Sequence, residues 1–238
     1  MRKKILKYIT LLISSILLCF PLHAQNPERT EANKKEEHKE DIPLFNGVSV
    51  GVDISGAAGK VLGGNRFSGE VQGKIDLMNR FFPTVEIGWG NTNTTSASTN
   101  QHYKMSAPYF RIGADYNFFH KKTHLPGYIY GGLRYGFSSF SYDVDIPPTT
   151  DPTFGNTSIS GSYHGITSSA HWLEVVAGIH VKVYKNFCMG WSLRYKSMLN
   201  LEKGYNTEPW YIPGFGKNTK TGFGVSYSLI YYIPIHLL

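Results

Sequence analysis

The sequence predicts an all-β protein: a closed, eight-stranded, antiparallel up-and-down barrel that spans a membrane. Three observations carry that expectation. Eight segments alternate between apolar residues and polar or small ones, the period-two pattern of a strand whose faces meet different surroundings. The apolar parity of those segments holds no Asp, Glu, Lys or Arg. Short and long connections also alternate along the chain, as they do in outer-membrane barrels.

The first residues stand apart from this pattern. Arg2, Lys3, Lys4 and Lys7 form a basic start, Ile9 to Phe20 an apolar stretch, and Pro21-Leu-His-Ala24 leads to a cleavage point before Gln25. That order is a secretory signal peptide over residues 1–24. The apolar stretch is shorter than the ~20 residues a membrane-spanning helix needs. Cys19 follows the bulky Leu18 rather than a small residue, which argues against lipidation. Residues 25–43 mix Glu28, Glu31, Glu36, Glu37, Glu40 and Asp41 with Arg29, Lys34, Lys35 and Lys39 and have little apolar surface to bury. They predict a disordered periplasmic tail, which leaves residues 44–238 for the barrel domain.

The segments follow in order. In Gly47–Ser55, Val48, Val50, Val52 and Ile54 oppose Ser49, Gly51 and Asp53. In Phe67–Leu77, Phe67, Val71, Ile75 and Leu77 oppose Glu70, Gln72, Lys74 and Asp76. Pro83–Trp89 sets Val85, Ile87 and Trp89 against Thr84, Glu86 and Gly88. Tyr109–Phe118 sets Phe110, Ile112, Ala114, Tyr116 and Phe118 against Arg111, Gly113, Asp115 and Asn117. In Tyr128–Phe137, Ile129, Leu133, Tyr135 and Phe137 oppose Tyr130, Gly132, Arg134 and Gly136. In Trp172–Val183, Leu173, Val175, Ala177, Ile179, Val181 and Val183 oppose Glu174, Gly178, His180 and Lys182. Phe187–Lys196 opposes Phe187, Met189, Trp191, Leu193 and Tyr195 to Gly190, Ser192, Arg194 and Lys196. Thr221–Ile233 opposes Phe223, Val225, Tyr227, Leu229, Tyr231 and Ile233 to Gly222, Gly224, Ser226 and Ser228.

A membrane barrel turns its apolar face to lipid and its polar face inward. The polar parity here carries Asp53, Glu70, Asp76, Glu86, Asp115 and Glu174 against Lys74, Arg111, Arg134, Lys182, Arg194 and Lys196. The equal numbers predict a paired charge network in the lumen. An eight-stranded barrel has an interior just wide enough for side chains to fill, which excludes a broad channel. Residues 78–82, 119–127 and 184–186 read as short turns, and 56–66, 90–108, 138–171 and 197–220 as long loops. Aromatic residues mark two interface levels: Phe82, Phe118, Tyr128, Tyr184, Phe187 and Tyr231 at one, and Trp89, Tyr109, Phe137, Trp172, Tyr195 and Phe223 at the other.

Several functions find no support. The chain carries 24 basic and 17 acidic residues; removal of the signal leaves 20 against 17, a net +3 spread along the chain, which does not suit nucleic-acid binding. Only Cys188 remains after cleavage, so an internal disulfide is excluded. Gly47-Val-Ser-Val-Gly51 has the spacing of a nucleophile elbow but lies within a strand and lacks the following helix. The nine histidines show no metal-ligand spacing, and no dinucleotide motif has its strand-to-helix setting. No catalytic residue, metal or cofactor is assigned. A proton-transfer role for Glu174 with His180 is the chemical alternative to simple charge pairing.

Several stretches resemble one family of outer-membrane barrels. They are Pro43-Leu-Phe-Asn-Gly47, Phe82-Pro-Thr-Val-Glu-Ile-Gly88, Ser106-Ala-Pro-Tyr-Phe-Arg-Ile-Gly113, Tyr130-Gly-Gly-Leu-Arg-Tyr-Gly-Phe137, His171-Trp-Leu-Glu174, Met189-Gly-Trp-Ser-Leu-Arg-Tyr-Lys196 and Pro209-Trp-Tyr-Ile-Pro-Gly-Phe-Gly216. The chain thereby resembles domain of unknown function family 6048. The resemblance implies a barrel in the bacterial outer membrane and brings no catalytic or binding residues with it. The last strand is followed by Pro234-Ile-His-Leu-Leu238 rather than by the terminal aromatic common in such barrels.

The expected role is structural or binding, exercised through the long loops, with outer-membrane lipid around the wall and an extracellular ligand or protein as partner. Trp210, Tyr211 and Phe215, on a proline-stiffened loop, form the candidate loop surface or alternatively a cap over the barrel mouth. The rival class is a lipid-modifying hydrolase or acyltransferase, which needs a Ser, a His and an acid converging at the lipid-facing rim. Intact-mass measurement of the exported protein should give a chain that starts at Gln25. A retained Met1 or a lipidated Cys19 would refute the signal assignment.

Overall fold

The structure, a computed structural model, describes residues 43–56, 59, 66–122, 124–151, 157–202, 204 and 207–235. The expected signal peptide, nearly all of the expected tail and most of the first expected long loop lie outside these residues. The strands are β1 (Phe45–Asp53), β2 (Arg66–Leu77), β3 (Phe81–Thr95), β4 (His102–Asn117), β5 (Gly127–Asp151), β6 (Thr157–Tyr184), β7 (Phe187–Leu201), β8 (Tyr211–Ile212), β9 (Gly216–Lys217) and β10 (Thr221–Pro234). Eight of them close into a barrel in the order β1-β10-β7-β6-β5-β4-β3-β2. β8 and β9 form a small separate hairpin within the β7–β10 connection.

Each barrel strand is antiparallel to its neighbours, and β1 meets β10 from Gly47↔Pro234 to Asp53↔Ser228. Closure removes the unpaired strand edge, which hydrocarbon cannot satisfy. No helix among the described residues is long and apolar enough to cross a membrane; the strands make the crossing. The wall has the polarity that the alternation predicts. On β5, Leu133 is 64% exposed while its neighbour Arg134 is 2% exposed. Val85 and Ile87 on β3, Ile112 on β4, Val175 and Ile179 on β6 and Leu193 on β7 likewise face outward.

Aromatic rings flank this apolar wall. Phe187–Tyr231 and Phe81–Tyr116 meet edge-on at 5.5 and 5.3 Å near the short-turn end, and Tyr195–Phe223 meet at 5.1 Å towards the other end. The Trp89 indole N–H donates to Ser106 Oγ at 2.9 Å, so its polar edge is satisfied beside its apolar ring. Four of the aromatics expected in the two interface tiers instead point inward: Phe82, Tyr109 and Trp172 are buried and Tyr128 is half-buried. Each shares the parity of a lumen residue (Trp172 that of Glu174, Tyr109 that of Arg111), and parity decides the face before ring chemistry does.

The short connections lie where they were expected. Met78 and Asn79 in one turn and Lys185 in another adopt positive φ of 55°, 51° and 45°. Two of the expected long loops are largely strand. β3 and β4 continue to Thr95 and from His102, so the loop expected over 90–108 shrinks to a connection around 96–101; β5 and β6 run on to Asp151 and from Thr157. The physical reason is an inversion of the alternation. Beyond Trp89 and Phe137 the outward residues become Asn91, Asn93, Ser139 and Ser141, and those on β4 and β6 become Lys104, Thr167 and Ser169. Inward positions at the same level become Tyr103, Met105, Phe140, Tyr142, Val144 and Ala170, which form one buried apolar cluster. Within the apolar belt the barrel is inside out; above it, the extensions of β3 to β6 form a sheet with a polar outer face and an apolar core on its inner side.

This inversion makes opposite demands on one wall. Val175→Arg, within the apolar belt, should destabilise the barrel by ~2–4 kcal/mol if the site lies near mid-membrane. Ser141→Arg, outward on the extension of β5, should change stability by no more than about 0.5 kcal/mol. Urea unfolding in lipid vesicles measures both, and equal costs would contradict the inversion.

Candidate functional site

The lumen gathers the charges of six strands. Glu86 on β3 lies at the centre. It accepts from Arg194 Nη1 at 2.6 Å, Arg134 Nε at 3.1 Å and Arg111 Nη1 at 3.1 Å. Glu70 on β2 accepts from Arg111 in a close pair, from Arg194 Nη2 at 3.3 Å and from the Tyr109 hydroxyl at 2.9 Å. Glu174 on β6 meets Arg111 Nε at 2.8 Å and Arg194 Nη1 at 3.3 Å, and accepts from the Trp172 indole at 2.7 Å. One layer nearer the short-turn end, Asp115 binds Lys74 Nζ at 2.8 Å and Arg134 Nη2 at 2.7 Å. Lys74 also lies 4.6 Å from the centre of the Tyr130 ring. Arg111, Arg134 and Arg194 each span at least two carboxylates. A planar fork of donors does this better than an ammonium.

The expected charge residues do not all join this cluster. Lys182 is exposed at the short-turn end, where its strand leaves the lumen. Asp53 is buried but bonds locally to Ser55. Asp76 accepts from Asn79 N at 2.9 Å, Asn46 Nδ2 at 3.3 Å and the Tyr232 hydroxyl at 3.3 Å, tying β1, β2 and β10 together near the short-turn end. The ion-paired groups of the lumen are therefore Glu70, Glu86, Asp115 and Glu174 with Lys74, Arg111, Arg134, Arg194 and Lys196. His180 bonds and stacks with Tyr128, whereas Glu174 is held by arginines, so the two do not form a base and its orienting partner. Cys188 is free and buried.

Above the ions, the β7–β10 connection folds into the mouth. Gly214, at φ +74°, turns its carbonyl towards the lumen, where it accepts from Arg111 Nη2 at 2.8 Å and Lys196 Nζ at 2.6 Å. Phe215 is 4% exposed and meets Trp172 edge-on at 5.9 Å. Trp210 stacks on Tyr103 at 5.3 Å, and the Tyr103 hydroxyl donates to the Tyr211 carbonyl at 3.0 Å. Phe215 is thus part of the apolar core, while Trp210 and Tyr211 remain half-buried. Sequence reasoning missed Tyr109, Trp172 and the Gly214 carbonyl as members of this assembly. The shared parity of the two aromatics with Arg111 and Glu174 was the available signal. Gly88 and Gly136 make their room, since a Cβ at either would collide with the Tyr109 or Trp172 ring.

Hydrolase chemistry would need its residues at the lipid-facing rim. Ser169 and His171 lie on the outward side of β6, but Ser169 Oγ donates to Glu202 Oε2 at 2.9 Å while His171 Nδ1 meets the Tyr135 hydroxyl at 2.6 Å. The hydroxyl and the imidazole are engaged with different partners, unlike a nucleophile and its base.

An uncharged apolar wall around a lumen crossed by ion pairs defines a membrane-spanning β-barrel. The chain belongs to the family described as Domain of unknown function (DUF6048), which matches residues 5–237. No curated protein matches it. Among solved structures it is similar to Neisserial surface protein A, at 15% identity and a TM-score of 0.43, over 79% of this chain and 97% of that one. It is also similar to a major outer membrane protein from Thermus thermophilus, at 14% identity and a TM-score of 0.45, over 80% and 100%. A third is Ail of Yersinia pestis, solved with the heparin analogue sucrose octasulfate, at 10% identity and a TM-score of 0.39, over 79% and 97%.

Removing the central carboxylate tests the network. Glu86→Gln leaves three arginines short of charge and should cost about 3–5 kcal/mol, the usual penalty for breaking a buried pair. Denaturant titration of the refolded barrel measures it, and a cost below about 1 kcal/mol would mean that water already screens these groups.

Proposed function

We propose that this protein is a non-enzymatic surface barrel of the bacterial outer membrane, exported by a signal peptide cleaved before Gln25, that binds an extracellular ligand or protein through the structure above its apolar belt. One observation carries this reading: the β5–β6 hairpin extends past its neighbours, above a lumen crossed by ion pairs and a mouth that the β7–β10 connection enters. β4 accompanies β5 only to His102↔Asp145, and β7 accompanies β6 only to Ala170↔Leu201. An interior crossed by ion pairs serves solute passage poorly, and an extended hairpin offers backbone edges and side chains to a partner. The engagement of Ser169 with Glu202 and of His171 with Tyr135 gives the lipid-modifying alternative no matching support.

Wild-type protein in a planar bilayer should show no large, stable conductance steps. Shortening the β5–β6 hairpin should leave heat-modifiable migration intact and abolish the surface interaction or growth phenotype that deletion of the protein causes. Large steps from the wild type, or an unchanged phenotype in the shortened variant, would count against the proposal.

A further inference from the structure

The β8–β9 hairpin does not fill the mouth completely. Between it and the outer end of β3 lies a cavity of about 520 Å³, open on one side. That volume falls within the range of small-molecule sites. Thr92 and Thr94 form its β3 wall; Glu208, Trp210, Tyr211 and Asn218 come from the connection.

The lining narrows the ligand class. Trp210 and Tyr211 supply amphipathic ring surface, and both are half-buried. Thr94, Asn218 and Thr219 add hydroxyl and amide groups to the lining. One acid, Glu208, and one base, Lys217, balance the formal charge of the lining, which does not suit a polyanion. A lipid tail would strip these polar groups of hydrogen bonds without replacing them. Thr92 is 1% exposed and its Oγ1 has no hydrogen-bond partner in the structure. That hydroxyl is closed to solvent, so Thr92 shapes the wall of the cavity rather than meeting its occupant. A ligand with apolar C–H faces and many hydroxyls answers the other features.

We propose that the cavity binds a neutral saccharide, with Trp210 and Tyr211 against its C–H faces and Thr94 and Asn218 directed to its hydroxyls. This rests on the reading of the protein as a surface-binding barrel and names the ligand class. The sugar is either soluble in the medium or part of the cell's own envelope polysaccharide.

The full mature chain is purified in an amine-oxide detergent, because glycoside detergents carry a sugar head. Calorimetric titration uses glucose, galactose, N-acetylglucosamine, maltose and lactose in one arm, and delipidated polysaccharide from the producing cells in the other. Saturable binding in the first arm assigns a soluble sugar; saturable binding in the second alone assigns the envelope polymer. In either case Asn218→Ala and Thr94→Val should weaken binding at least tenfold while heat-modifiable migration is kept. No saturable binding in either arm, or binding that both variants leave unchanged, overturns the saccharide assignment. The surface-binding reading is judged separately, by the phenotype of the shortened β5–β6 hairpin.

Discussion

A charge inside a narrow barrel must find its partner among the other inward-facing side chains, because the lipid beyond the wall offers none. Breaking a buried pair costs about 3–5 kcal/mol, whereas an exposed pair is worth at most about 1 kcal/mol. Glu86 shows how this constraint organises the fold. Its carboxylate draws in arginines from β4, β5 and β7, of which only β4 adjoins β3 in the sheet. Those arginines in turn engage Glu70, Asp115 and Glu174, so ion pairs bridge β2 through β7 across the interior. The cap is tied to the same system, because Arg111 and Lys196 also donate to Gly214.

The arrangement matches the two solvents that the strands cross. Where lipid surrounds the wall, apolar residues point out and ions point in. Where water surrounds it, Ser139, Ser141 and Lys104 point out while Phe140, Tyr142 and Met105 point in. The change requires no break in the strands, since the side-chain period of two continues through it. Only the chemistry assigned to each parity changes. The cap connection completes the upper core by placing Ile212 and Phe215 among those aromatics.

This explains how much of the molecule the sequence reveals. Strand positions within the belt were legible because lipid excludes charge from every second residue, as the neighbours Leu133 and Arg134 show. The upper halves of β5 and β6 were not, because Ser139-Phe-Ser-Tyr142 places its apolar residues on the opposite parity from Leu133, Tyr135 and Phe137. The lumen charges were legible as a set but not as pairs. Pairing depends on the registers that bring Glu86 opposite Arg111 and Glu174 opposite Lys196, and on diagonal reach across the lumen. Lys182 was misplaced because a strand's parity continues past the end of the space it faces.

The network leaves one side of the ring without ionic ties. β1 and β10 present Ser49, Gly51, Gly222, Gly224, Ser226 and Ser228 to the interior, and Asp53 bonds only to Ser55 among its described contacts. Their cross-links are the backbone ladder and the Asp76 contacts at the short-turn end. The two strands that bring the barrel's first and last segments together therefore form a zipper fastened by the main-chain ladder and by apolar packing such as Ile230 over Gly51, with no ion pair among its described contacts. Such a seam is the natural last step of closure and the first place for local opening, while the arc from β2 to β7 stays braced by its charges.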